Sequence, residues 1–119
     1  MKHRLVVDKS RVIRTVACQI LEGMKFYAEE AVDDASALES CRVQMPDGIL
    51  LDLSDAGRVE FLRTLRNGRS EKQPVVVFST IENDVQKIRE ALSAGANEYV
   101  MKPFDREALE STFAQAGLI

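Results

Sequence analysis

The sequence predicts an α/β fold, a five-stranded parallel sheet with helices on both faces. Three observations lead there. Short apolar runs recur along the chain: Leu5-Val6-Val7, Ile49-Leu50-Leu51, Val75-Val76-Val77-Phe78 and Tyr99-Val100-Met101. Near-continuous apolar runs of this length read as strands buried on both faces. Helix-period segments separate them, and the alternation, five times over, implies right-handed βαβ crossovers. The 119 residues, 45% hydrophobic and 29% charged, fit one domain around one core.

Leu5–Val7 is the first strand. Ser10 then caps a helix over about Arg11–Gly23, with Val12, Ile13, Val16, Ile20 and Leu21 as its apolar stripe. Lys25–Ala31 is a second, partly exposed strand. Asp33 or Asp34 caps a helix running to about Gln44 and burying Ala35, Leu38 and Cys41. The turn Met45-Pro46-Asp47-Gly48 leads into a third strand, Gly48–Leu53. A helix at about Val59–Arg66 stops at Asn67-Gly68. Pro74–Ser79 is the fourth strand. Asn83 or Asp84 caps a helix with Val85, Ile88, Ala91 and Leu92 inward, ended by Gly95. Glu98–Met101 is the fifth strand, and Asp105 caps a last helix carrying Leu109 and Phe113 to about Gly117. No linker, repeat or low-complexity segment interrupts residues 1–119, which read as a single domain. The expected strand order is 2-1-3-4-5, a flavodoxin-like doubly wound sheet.

Composition narrows the function. A net charge of -3 does not suit a sequence-independent nucleic-acid binder. No apolar stretch approaches the ~18 residues that span a bilayer, so no membrane insertion is expected. Met1-Lys2-His3-Arg4 runs straight into a strand without a signal-peptide apolar region, which points to the cytoplasm. Cys18 and Cys41 read as reduced, buried thiols, and His3 is alone, so no Cys/His metal cluster exists.

Four polar residues directly follow the apolar runs: Asp8, Asp52, Ser79 and Lys102. In an open α/β sheet the ligand crevice lies at the carboxyl ends of the strands. Two acids, a hydroxyl and a lysine thus converge on one crevice, a set suited to phosphoryl chemistry on an aspartate. Asp8 also has a simpler reading as a helix cap, in competition with Ser10.

With these residues in place the chain resembles a response-regulator receiver domain, the CheY-like module of two-component signalling. The resemblance rests on Leu5-Val6-Val7-Asp8-Lys9-Ser10-Arg11, Pro46-Asp47 leading into Gly48-Ile49-Leu50-Leu51-Asp52, Glu60-Phe61-Leu62, Pro74-Val75-Val76-Val77-Phe78-Ser79-Thr80, Ala94-Gly95-Ala96-Asn97-Glu98-Tyr99 and Lys102-Pro103-Phe104. It implies a non-enzymatic signalling module with at most intrinsic autophosphorylation and dephosphorylation. Asp52 would be the phosphoryl acceptor. Lys102, Ser79 and Thr80 would bind the phosphoryl group, Ser79 and Tyr99 would form the switch, and Lys102–Pro103 would be cis. Asp8 and Asp52, with the Ser54 carbonyl, would hold magnesium. Partners would be a sensor histidine kinase or phosphotransfer protein and a downstream protein, such as a kinase or the flagellar motor. Docking would use the surface around Tyr99, Lys87 and the last helix, and no output domain would follow.

The chain departs from that pattern at Lys9, where the family places a second metal-binding acid. Three carboxylates and one lysine carry two negative charges, which a divalent ion cancels. Asp8, Asp52, Lys9 and Lys102 already cancel each other, and adding magnesium would leave two positive charges in a partly desolvated crevice. Magnesium binding is therefore expected to be weak or absent. Either the Lys9 ammonium contacts Asp52 in place of the metal and locks one state, or it points to solvent and a weakened phosphoswitch survives. The alternative function is a conventional magnesium-dependent phosphoacceptor in a relay or in chemotaxis. The loop Ser54-Asp55-Ala56-Gly57-Arg58 is about two residues shorter than usual, and Asp55 is a candidate substitute carboxylate. Arg58, Arg63, Arg66 and Arg69, followed by Lys72, make either a solvated helix face or an anion patch, which would suit a cyclic dinucleotide. A flavin-binding reading lacks its glycine- and hydroxyl-rich phosphate loop after the first strand.

Overall fold

The computed structural model describes residues 2–52, 58–68, 73–81 and 85–117. The elements alternate along the chain: β1 (His3–Val7), α1 (Arg11–Gly23), β2 (Tyr27–Ala31), α2 (Asp34–Val43), β3 (Gly48–Asp52), α3 (Arg58–Asn67), β4 (Val75–Thr80), α4 (Val85–Ala94), β5 (Glu98–Met101) and α5 (Arg106–Gln115). The strands form one parallel sheet in the order β2-β1-β3-β4-β5. This is the flavodoxin-like arrangement with five helices that the alternation predicts. Among the described residues no helix is long and apolar enough to cross a membrane.

β1 and β3 are buried along their whole length and β4 from Val76 onward, as the apolar runs Leu5-Val6-Val7, Ile49-Leu50-Leu51 and Val75-Val76-Val77-Phe78 require. Successive side chains go to opposite faces. Leu5, Val7, Ile49, Leu51, Val76 and Phe78 pack against α2, α3 and α4, through Ala37, Cys41, Phe61, Leu62, Leu65, Ala91 and Ala94. Val6, Leu50, Val77 and Val100 pack against α1 and α5, through Ala17, Cys18, Leu21, Leu109 and Phe113. Cys18 and Cys41 are free, and burial pushes both thiols up to about 11.

Local chemistry sets the helix ends. Ser10 Oγ accepts the Ile13 N–H, and Asp105 accepts the Ala108 N–H. Of the two candidate caps for α2 it is Asp33 that serves, in a reciprocal box with Ser36. Asn83, Asp84, Leu53 and Ser54 lie outside the described residues. The second strand starts two residues later than expected. Lys25 takes a left-handed φ of 71° and the Phe26 N–H returns to the Leu21 carbonyl, so both residues close α1.

The helix faces differ from expectation only in part: Leu21, Cys41, Ala91, Leu109 and Phe113 are buried as expected. In α1, Val12 and Val16 are exposed, and the sheet is met by Ala17, Cys18 and Leu21. In α2, Ala35 and Leu38 are exposed and Ala37 is buried with Cys41. In α4, Val85 and Leu92 are exposed, and Ala91 and Ala94 are buried with Ile88 packed beside them. Small residues let a helix backbone approach the sheet closely, which leaves bulkier neighbours on the flank.

Candidate functional site

The parallel register brings four strand ends to one edge of the sheet. Asp52 ends β3 opposite Ser79 of β4, and Ser79 lies opposite Val100 of β5. Past the end of β1, the Asp8 N–H donates to the Ala31 carbonyl. Past the end of β5, the Lys102 N–H donates to the Thr80 carbonyl. Asp8, Asp52, Ser79 and Thr80 are all buried there. Acids in such a position are rare unless paired.

The pairing comes from Lys102. Its Nζ donates to Asp8 Oδ2 at 2.7 Å and to Asp52 Oδ1 at 2.9 Å, and its side chain is only 10% exposed. Burial opposes the charge on this ammonium. The hydrogen bonds to Asp8 and Asp52 outweigh that effect and hold its pKa above the ordinary lysine value. Asp8 Oδ1 accepts the Ser10 N–H at 2.9 Å, so both oxygens of that carboxylate have donors. The Lys102–Pro103 peptide is cis, as the resemblance implies.

The structure thus brings together Asp8, Asp52, Ser79, Thr80 and Lys102. Lys9, next to Asp8 in the chain, is an exposed residue, and Lys102 is seated on Asp52. Tyr99 is partly exposed on β5, with its ring stacked on Phe78 at 5.7 Å. Among the described residues two carboxylates, Asp8 and Asp52, are the available metal donors, and Asp55 lies outside the described residues. Among the described residues no three acidic, histidine or cysteine side chains converge. Magnesium is commonly held by one or two carboxylates with water completing an octahedron, so this donor set fits the ion, with one acid fewer than a three-carboxylate pocket.

The arginines of α3 do not form the single patch considered above. Arg58 is buried and its Nη1 donates to Asp34 Oδ1 at 2.6 Å, tying α3 to α2. Arg66 donates to the carbonyls of Gly95 and Pro74 and to Asn97 Oδ1. Arg63 pairs with Glu60 on the helix surface, and Arg69 and Lys72 lie outside the described residues.

One residue beside the crevice was not singled out in the sequence. Arg14, on α1, donates from Nη1 to the Asp8 carbonyl at 2.7 Å and to the Lys9 carbonyl at 3.1 Å, while its Nε pairs with Glu30 Oε1 at 3.0 Å. Its position six residues beyond Asp8, on the first full turn of α1, was the available signal.

The comparisons with known proteins agree with this geometry. The family model for the response regulator receiver domain matches residues 5–114. The phosphate regulon transcriptional regulatory protein PhoB of Escherichia coli K12 is 33% identical over 108 residues, 88% of this chain and 47% of PhoB. The KDP operon transcriptional regulatory protein KdpE of the same organism is 36% identical over 106 residues, 87% of this chain and 46% of KdpE. The chain therefore spans about half the length of these curated relatives. The chemotaxis response regulator CheY4 of Vibrio cholerae superposes with a TM-score of 0.90 at 27% identity, over 98% of both chains. Receiver domains are generally non-enzymatic signalling modules that interact with sensor kinases and downstream targets and typically bind magnesium at the phosphorylation site. With the family match running over nearly its whole length, onto a sheet that gathers two acids and a lysine at one edge, this chain belongs to the response regulator receiver domain family.

Proposed function

We propose that the chain is a phosphoacceptor receiver with a weakened magnesium site. The observation that carries this reading is Lys102 Nζ lying between Asp8 and Asp52 at the carboxyl edge of the sheet. An Asp52 oxygen attacks phosphorus in a phosphohistidine or a small phosphodonor. The bond from phosphorus to the donor breaks, and its electron pair leaves with the donor. Positioning and charge neutralisation do most of the work in such transfers. Lys102 pairs with the phosphoryl oxygens, and the hydroxyls of Ser79 and Thr80 donate hydrogen bonds to them. Ser79 and Tyr99 pass the change to the surface. Phe78, stacked on Tyr99 and adjacent in the chain to Ser79, links the two.

Magnesium held by Asp8 and Asp52 would supply further neutralisation of the transferring group. Lys9 replaces a third carboxylate with a cation next to Asp8, which weakens that site. Lys9 either contacts Asp52 in place of the metal and locks one state, or faces solvent and leaves a weakened phosphoswitch, and modification by a phosphodonor separates the two. The cyclic-dinucleotide reading loses two of its arginines to internal partners.

A sensor histidine kinase or phosphotransfer protein supplies the phosphoryl group. A downstream protein docks on the face of α4, β5 and α5, where Val85, Leu92, Tyr99 and Met101 are exposed. The test is phosphorylation by acetyl phosphate with and without magnesium, read by intact mass. Slow modification of the wild type, lost in Asp52→Asn, is expected. Wild type that stays unmodified at high magnesium and does not bind beryllofluoride, or modification that persists in Asp52→Asn, overturns the reading.

A further inference from the structure

The β1–α1 connection carries both residues that set the charge of the crevice, Asp8 and Lys9. A connection of this length has only a few peptide planes, and two of them are held by one side chain. The Asp8 carbonyl belongs to the peptide joining Asp8 to Lys9, and the Lys9 carbonyl to the peptide joining Lys9 to Ser10. Arg14 Nη1 donates to both, at 2.7 and 3.1 Å. Fixing those two planes fixes the backbone on either side of Lys9. That decides where the Asp8 carboxylate and the Lys9 ammonium point.

The guanidinium is itself anchored. Its Nε pairs with Glu30 Oε1 at 3.0 Å, on β2, and the side chain is 14% exposed. Three further bonds complete the frame around Asp8: its N–H to the Ala31 carbonyl, the Ser10 N–H to Oδ1, and Lys102 Nζ to Oδ2. The clamp therefore links the β2 edge, the start of α1 and the Asp8 end of the Asp8–Lys102–Asp52 bridge. A planar fork is needed for this, because the carbonyls and the Glu30 carboxylate are engaged by different nitrogens of one guanidinium.

We infer that Arg14 is a positioning residue for phosphoryl transfer, acting through Asp8 by holding the Asp8 and Lys9 carbonyls. The inference rests on Asp52 being the phosphoacceptor, and it deepens that reading by naming what orients the second acid. Outer partners that orient the ligands of a reactive centre commonly matter by about 10–100-fold in affinity or rate.

The experiment compares wild type, Arg14→Ala, Arg14→Lys and Glu30→Gln in two measurements. The first is the rate of acetyl phosphate modification of Asp52. The second is amide hydrogen exchange at Ser10, whose N–H reports directly on the Asp8 carboxylate. Arg14→Ala is expected to slow modification by about tenfold and to raise Ser10 exchange by about tenfold, with exchange at core amides such as Leu50 unchanged. Arg14→Lys, which keeps one donor for one carbonyl, is expected to recover part of both effects, and Glu30→Gln to change each by less. Unchanged Ser10 exchange in Arg14→Ala overturns the inference, as does faster exchange spread equally over the core, which marks plain destabilisation. If Arg14→Ala does not fold, Arg14→Lys decides by the same criteria. If the wild type takes no phosphoryl group, the proposed function fails, and the Ser10 measurement still decides the role of Arg14.

Discussion

Arg4 lies fully buried on β1, its Cζ 3.9 Å from the centroid of Phe26 and 5.6 Å from that of Phe113. Among the described residues, Nε and both Nη atoms have no hydrogen-bond acceptor. Burial lowers its pKa to about 10, with Asp47 pulling the other way. A cation over an aromatic face is worth about 2 kcal/mol when desolvated. Taking a charge out of water costs several kcal/mol, so the net effect of this charge is unfavourable, while the side-chain stem still fills space. Arg4→Met is therefore expected to leave stability unchanged or raise it by about 1 kcal/mol. Arg4→Ala should lower it by about 2–3 kcal/mol through lost packing. Urea unfolding of both variants checks this, and equal losses in the two would show that the charge itself is needed. Nothing near Arg4 in the sequence marked it. The stretch Met1-Lys2-His3-Arg4 reads as a polar lead into a strand, and the rings that enclose the guanidinium come from positions 26 and 113.

Between elements, Arg66 straps the end of α3 to the start of β4 and to the α4–β5 turn, through Pro74, Gly95 and Asn97. Gly95 has a φ of 120°, and a Cβ there would lie 2.5 Å from Arg66 Cγ. Gly95→Ala thus meets two obstacles, backbone strain and the arginine stem, and should cost about 2–3 kcal/mol. In an Arg66→Ala background the cost should shrink to the backbone part alone. A double-mutant cycle reads this directly, and equal costs in both backgrounds would place the clash elsewhere. At this scale the strands were legible because burial on both faces leaves an unbroken apolar run, and Asp33, Ser10 and Asp105 were legible because caps obey local chemistry. The helix faces were less so. Hydrophobicity ranks Val12, Val16 and Leu92 above Ala17 and Ala94, yet close approach to the sheet selects the alanines. The acids and the lysine of the site were readable because strand ends determine their position. Arg14 was not, because its role depends on a side chain reaching back to carbonyls that precede its own helix.

Across the described residues, the parallel sheet converts four separate stretches of sequence into one pocket with two acids, two hydroxyls and one lysine. Among the described residues, Asp8 and Asp52 against Lys102 leave a single negative charge, which the neighbouring Lys9 cancels, so on the proposed reading a phosphoryl group arriving on Asp52 must be balanced from outside. Receiver domains typically draw that balance from magnesium. On the proposed reading Lys9 puts a positive charge where a third carboxylate would otherwise attract the ion. The most direct test is a magnesium titration of the unphosphorylated wild type and of Lys9→Asp, followed by the amide resonances of Asp8 and Asp52. Exchanging a cation for an anion beside a divalent ion at partly screened distance is worth about 1–2 kcal/mol, so Lys9→Asp should bind about 5- to 30-fold more tightly. Equal affinity in the two proteins would contradict the account.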